Sequence, residues 1–182
     1  MQNIKSVAVF CGSKCGNNPA FVEQTNLLGG YLGKEKIRLV YGGGSIGLMG
    51  AVADSVMKSG GEVIGIIPKL LVEWEQQHNG ITNLMVVDDM HIRKKKMYEM
   101  SDAAIILPGG NGTLDELFEM LTWNTLKIHV MKVFILNVDG FYNNLLAHLD
   151  TMQEQGFLYG DWKERIIVCN NAAEVMVAMA GL

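Results

Sequence analysis

The chain has 182 residues, of which 49% are apolar and 19% charged, a balance that excludes a disordered chain and suits one domain with a sizeable core. Its formal net charge of −4 supplies no basic face for a nucleic-acid backbone, and no stretch approaches the roughly 20 apolar residues of a membrane span. Cys11, Cys15 and Cys169 show no CxxC spacing and read as free thiols, so a reducing, cytoplasmic setting is expected.

Residues 6–12, "SVAVFCG", read as a first strand rather than a signal peptide, because the apolar run is short and turn residues follow it. A helix is predicted over 19–34, opened by Pro19. The second strand, 38–44, runs into "YGGGSIGLMG" and a helix over 47–59, and a third strand covers 62–68. Residues 69–83, "KLLVEWEQQHNGITN", form a long irregular piece, which suggests a binding loop, a lid or a short helix. Strands at 84–87, 103–110, 132–137 and 165–169 then alternate with helices near 91–100, 113–127, 142–155 and 172–180. Most of these strands are apolar throughout, as parallel strands covered on both faces must be. The expected fold is α/β: a Rossmann-like doubly wound parallel sheet of about seven strands flanked by helices, in a single domain over residues 1–182.

Ligands in such sheets bind at the carboxyl ends of the strands. Three glycine-rich turns fall there: "CGSKCG", "YGGGSIGLMG" and "LPGGNGT". Gly12, Ser13, Gly43, Gly44 and Met49 are therefore candidate nucleotide contacts. Gly42, Gly44 and Gly47 supply G-x-G-x-x-G, but after the second strand, and Glu62 opens the third strand instead of ending it, which argues against a dinucleotide site. "LPGGNGTLDE", residues 107–116, is not a Walker A loop, since no Lys-Ser/Thr follows its glycines. Those glycines let backbone N–H groups approach an anion, and Thr113 is placed to cap the following helix. Asp115 and Glu116 either complement that helix's dipole or act on the ligand.

Arg93, Lys94, Lys95 and Lys96 form a basic run in an acidic protein. Successive helical residues are about 100° apart, so the four cannot share one face and some must turn inward toward an anionic partner or ligand. His78, His91, His129 and His148 are scattered without metal-ligand spacing, and there is no G-x-S-x-G elbow.

The segments "MHIRK" (residues 90–94) and "PGGNGTLDE" (residues 108–116) together resemble the paired signature M-x-x-R-K and P-G-G-x-G-T-x-x-E. This is the signature of the LONELY GUY (LOG) family, the cytokinin riboside 5′-monophosphate phosphoribohydrolases, often labelled possible lysine decarboxylases. "YGGGSIGLMG", "VIGIIPK", "LTWNTLKIH" and "LNVDGFYNNLL" are similar to the family as well, so the likeness covers nearly the whole chain. It implies a homodimer with sites beside the interface, and hydrolysis of a nucleoside 5′-monophosphate to free base and ribose 5-phosphate without a cofactor or metal. It also implies Arg93 and Glu116 as catalytic residues. Substrate and phosphate contacts would come from Gly109, Gly110, Asn111, Gly112, Thr113, Leu114 and Asp115, with Lys94, Thr122 and Glu75 at further binding positions. The chain departs from the usual pattern at Asn111, where an aromatic is common, at Asp115, where Glu is common, and at Ile92, where a polar residue is common. The alternative is a nucleotide-binding or sensing protein on the same fold without catalysis.

Overall fold

Alternate residues of the central strands face opposite cores. In the computed structural model, which describes residues 4–72 and 76–182, strand β1 (Ser6–Phe10) sends Val7 and Val9 to one side and Ala8 and Phe10 to the other. All six strand pairings are parallel, in the order β4-β3-β2-β1-β5-β6-β7. The other strands are β2 (Arg38–Tyr41), β3 (Val63–Pro68), β4 (Asn83–Val87), β5 (Ala103–Ile106), β6 (Lys132–Leu136) and β7 (Ile166–Cys169). The helices are α1 (Pro19–Lys34), α2 (Gly47–Lys58), α3 (Met90–Glu99), α4 (Asn111–Thr125), α5 (Asn143–Glu154) and α6 (Ala172–Ala180). One face carries α1, α2 and α6 through Leu28, Leu32, Val52, Ala172 and Val175, and the other carries α3, α4 and α5 through Met97, Leu117, Met120 and Leu149. Full burial of each leucine, valine or methionine among these contributes about 1.5–3 kcal/mol, so both faces of the sheet need their cover. The doubly wound expectation holds.

The predicted strands ran too far at their carboxyl ends. Strands β1, β2 and β5 stop at Phe10, Tyr41 and Ile106, and the apolar residues and glycines after them form turns. The irregular stretch after β3 begins with a 3-10 turn over Lys69–Leu71. Its later part folds back on the second glycine turn: Ser45 N donates to Gln76 O at 2.9 Å and His78 N to Gly43 O at 2.9 Å. The Asp54 carboxylate lies 3.2 Å from His78 Nε2, pinning the same stretch to α2. Among the described residues, no helix is long and apolar enough to cross a membrane.

Helices α1 and α2 meet through glycines. A Cβ on Gly33 would come within 2.6 Å of the Ser59 Cβ and 2.7 Å of Val56 O, and Gly29 stands as close to Ser55 and Val52. Alanine's better helix propensity would add about 1 kcal/mol in favour of Gly33→Ala, whereas overpacking against backbone costs about 1–3 kcal/mol. The steric term is the larger, so Gly33→Ala is expected to lower stability in a denaturant titration. An increase would show that α1 can move away from α2 at little cost.

Candidate active site

The turns after β1, β2 and β5 converge beside α3 and α4. Gly12 N donates to Pro108 O at 3.0 Å, joining the first and third glycine turns, and Leu48 N donates to Gly12 O at 3.1 Å, joining the first to the start of α2. Between them opens a cleft of about 320 Å³ lined by Gly12, Ser13, Met49, Arg93, the loop from Gly110 to Thr113, Asp115 and Glu116. Cys11, Leu71 and Met90 complete the wall.

Helix α4 begins at Asn111, two residues ahead of the predicted start. Its N-cap is Gly110, which has no side chain to bond the first amides, so the expected Thr113 cap does not form. Thr113 instead lies inside the first turn, 3% exposed, with its side chain tucked against Gly109, where a Cβ would overlap it. The first backbone bond of the helix runs from Leu114 N to Gly110 O at 3.1 Å. The N–H groups of Asn111, Gly112 and Thr113 precede it at the positive end of the helix dipole, the arrangement that receives an anion.

Glu116 lies on the stripe of α4 that buries Thr113, Leu117, Met120 and Asn124, and it is only 8% exposed. Helical spacing of three residues brings it below Thr113 at the inner end of the cleft. From the opposite wall, α3 presents Arg93, which is 4% exposed. As helical geometry requires, the basic run divides: Arg93 and Lys94 turn inward while Lys95 faces solvent. Asp89 caps α3, accepting from Ile92 N at 2.8 Å. Arg93 Nη1 reaches Met90 Sδ, 3.7 Å away on the preceding turn.

The guanidinium of Arg93 passes over Gly42, and a Cβ there would overlap Nη2. Gly42→Ala is therefore expected to shift Arg93 by a fraction of an ångström to an ångström. Misplacement on that scale costs up to about 100-fold in rate. The displaced atom is the end of a flexible side chain, so the melting temperature should hold while turnover falls. Unchanged turnover would show that Arg93 acts equally well in another rotamer.

Lys94 takes no part in the cleft lining. Its Nζ lies 3.2 Å from Asp115 Oδ2 and 3.1 Å from Glu119 Oε1 on α4. Burial works against its charged form, but the bonds to Glu119 and Asp115 outweigh that and raise its pKa. Tyr98 donates to Glu119 Oε2 at 2.9 Å, and its phenol is pushed upward first by burial and then by the neighbouring carboxylates of Glu119, Glu116 and Asp115.

The structure thus brings together Arg93, Glu116, Gly110, Asn111, Gly112, Thr113, Asp115, Gly12, Ser13 and Met49. Gly109 lines an adjoining hollow on the far side of Gly12 and Gly110. Leu114, in the first turn of α4, packs against the core and not into the cleft, and Gly43 and Gly44 hold the stretch after β3 through His78 and Gln77. Thr122 is exposed on the outer side of α4, in a separate groove with Phe118 and Leu121. Glu75 lies outside the described residues. Cys11, Leu71, Met90 and Gly42 were not anticipated. The M-x-x-R spacing was the one available signal for Met90, since residues three apart on a helix share a face.

Residues 49–179 match the family model described as possible lysine decarboxylase. Over 172 residues the chain is 45% identical to a cytokinin riboside 5′-monophosphate phosphoribohydrolase of Arabidopsis thaliana, covering 94% of this chain and 79% of that one. It is 40% identical over 176 residues to the cytokinin riboside 5′-monophosphate phosphoribohydrolase of Rhodococcoides fascians, covering 96% and 89%. Among solved structures, the molybdenum cofactor binding protein of Rippkaea orientalis superposes with a TM-score of 0.75 at 19% identity, over 100% of this chain and 98% of that one. The Moco carrier protein of Chlamydomonas reinhardtii gives 0.73 at 18%, over 98% and 97%. At such identities these two speak for the fold alone.

Proposed function

Because the chain belongs to the LOG family of cytokinin riboside 5′-monophosphate phosphoribohydrolases, we propose that it hydrolyses the N-glycosidic bond of a nucleoside 5′-monophosphate, AMP or a cytokinin nucleotide. The products are the free base and ribose 5-phosphate. The observation that carries this reading is the joining, in one cleft, of an uncapped helix N-terminus and a buried carboxylate facing a buried arginine.

In the proposed mechanism the amides of Asn111, Gly112 and Thr113 hold the 5′-phosphate. Cleavage of the bond between C1′ and the base nitrogen leaves the bonding electrons on the base and builds positive charge on the sugar. Glu116 stabilises that charge and takes a proton from the attacking water as its oxygen bonds to C1′. That proton then passes from Glu116, through solvent, to the departing base, so that one water is consumed and the carboxylate is restored. Arg93 orients Glu116 or binds substrate oxygens through its planar fork. The decarboxylase label fits these residues poorly. A Schiff-base lysine must be available as a neutral amine, whereas Lys94 is held charged by two carboxylates.

We also propose a homodimer formed through the outer face of α4 and the segment after α5. Leu126, Phe157 and Tyr159 are strongly exposed there, Tyr159 at 92%, and they flank the apolar groove that contains Thr122. A partner seated on that face would cover these side chains and bring Thr122 into the interface. A cytoplasmic setting is supported by the three free cysteines.

The deciding experiment incubates purified protein with AMP, isopentenyladenosine monophosphate and the two free nucleosides, then assays base and ribose 5-phosphate. Turnover of the monophosphates alone is expected. Equal turnover of the nucleosides would remove the role of the phosphate loop, and binding without turnover would favour a nucleotide sensor.

A further inference from the structure

We infer that Lys94, Glu119 and Tyr98 form a clasp that fixes α3 against α4, making them positioning residues of the hydrolase and not contacts for the substrate phosphate. The inference rests on the hydrolase reading. Its geometry is self-contained, however. Lys94 follows Arg93 on α3, and its two carboxylate partners, Asp115 and Glu119, flank Glu116 on α4. The same pair of helices therefore carries both the proposed catalytic residues and the ion pair that sets their separation.

The clasp is closed at each point. Lys94 Nζ meets Asp115 at 3.2 Å and Glu119 at 3.1 Å, leaving the lysine side chain 10% exposed. The second oxygen of Glu119 accepts from Tyr98 Oη at 2.9 Å. Tyr98 is held in turn, its ring packed edge-on against Trp123 with centroids 4.6 Å apart and tilted against Phe10 at 6.1 Å. Glu119 is thus fixed from two directions, and both ties come from α3.

Lys94 is absent from the lining of the cleft that receives the phosphate, whereas its neighbour Arg93 is part of it, and the lysine's link to the cleft runs through Asp115. An ammonium already shared by two carboxylates offers a phosphate little net charge. Asp115 is the more exposed partner, with 62% of its side chain accessible, so Glu119 is the member that anchors the lysine. Loss of the clasp would let the helices slide and misalign Arg93 and Glu116 while leaving the loop amides in place.

The test measures hydrolysis of AMP and of isopentenyladenosine monophosphate by the full chain and by Lys94→Met, Lys94→Arg, Glu119→Gln, Tyr98→Phe and the double variant Lys94→Met/Glu119→Gln. Inhibition by ribose 5-phosphate and the melting temperature are recorded for each. Tyr98→Phe removes one hydroxyl from a ring that Trp123 still holds, so it keeps the fold even where a charge variant does not. The expected result is a kcat lowered about tenfold by Lys94→Met, Glu119→Gln and Tyr98→Phe, with KM and the ribose 5-phosphate inhibition constant within about twofold of wild type. The double variant should lose no more than the worse single, as members of one network do, and Lys94→Arg should retain more kcat than Lys94→Met. A large rise in KM and in the inhibition constant for Lys94→Met, absent from Glu119→Gln, would make Lys94 a phosphate contact and overturn the clasp. Full kcat in Glu119→Gln and Tyr98→Phe would overturn it too. A wild-type protein inert toward both nucleotides would instead remove the hydrolase reading, and this role with it.

Discussion

Glu116→Gln is expected to abolish most hydrolysis, lowering kcat by about 10³-fold, while the protein stays folded and still binds ribose 5-phosphate. The size follows from what the substitution removes. A positioned general base contributes about 10²–10⁴-fold, and charge complementary to the transition state about 10²–10³-fold. Glutamine keeps the volume of the side chain, so no cavity opens under Thr113 or beside Leu117. Only the negative charge is lost, from a site 8% exposed where water cannot replace it. Steady-state kinetics with a monophosphate substrate, set beside a ribose 5-phosphate binding isotherm, separates catalysis from affinity. Activity within threefold of wild type would return Glu116 to the modest duty of complementing a helix dipole.

Arg93→Ala should reduce kcat by about two to three orders of magnitude, the range seen when a single preorganised charge is removed from an active site. Arg93→Lys should recover little of that. Lysine offers one compact ammonium, whereas the position above Gly42 accommodates a planar fork with parallel donors. The result that would change the assignment is a raised KM with kcat intact, which marks uniform binding of substrate and transition state. Arg93 would then be a substrate-binding residue and Glu116 would act without an orienting partner.

Much of this architecture was legible in the residues because it depends on local pattern. Strands buried on both faces leave unbroken apolar runs, and α1 and α6 were bounded correctly at 19–34 and 172–180, where the structure adds Asn18 and Asn171 as their N-caps. What could not be read depends on atoms that are missing or distant. An apolar run does not say where pairing ends, so Cys11 was assigned to a strand although it lines the cleft. Thr113 has the chemistry of a cap, and nothing in the sequence says that Gly110 takes the cap position and leaves the amides uncovered. Gly42 acts by lacking a side chain beneath an arginine that lies far along the chain. Lys94 sits next to a proposed catalytic residue in the family signature, yet its partners on α4 were visible only once the helices were packed together.

The strand order has a consequence for how the chain reaches its active form. From β1 the strands add outward to β4 at one edge, and from β5 they add outward to β7 at the other. A single return connection, through α3, joins the two halves, and Arg93 rides on it while Glu116 belongs to the second half. Neither half alone contains both members of the pair. During refolding, activity should therefore reappear after helix content, since the return closes over the most distant strands. The same division means that a chain cut between α3 and β5 would carry Arg93 on one fragment and Glu116 on the other. Hydrolysis would then report reassembly of two fragments.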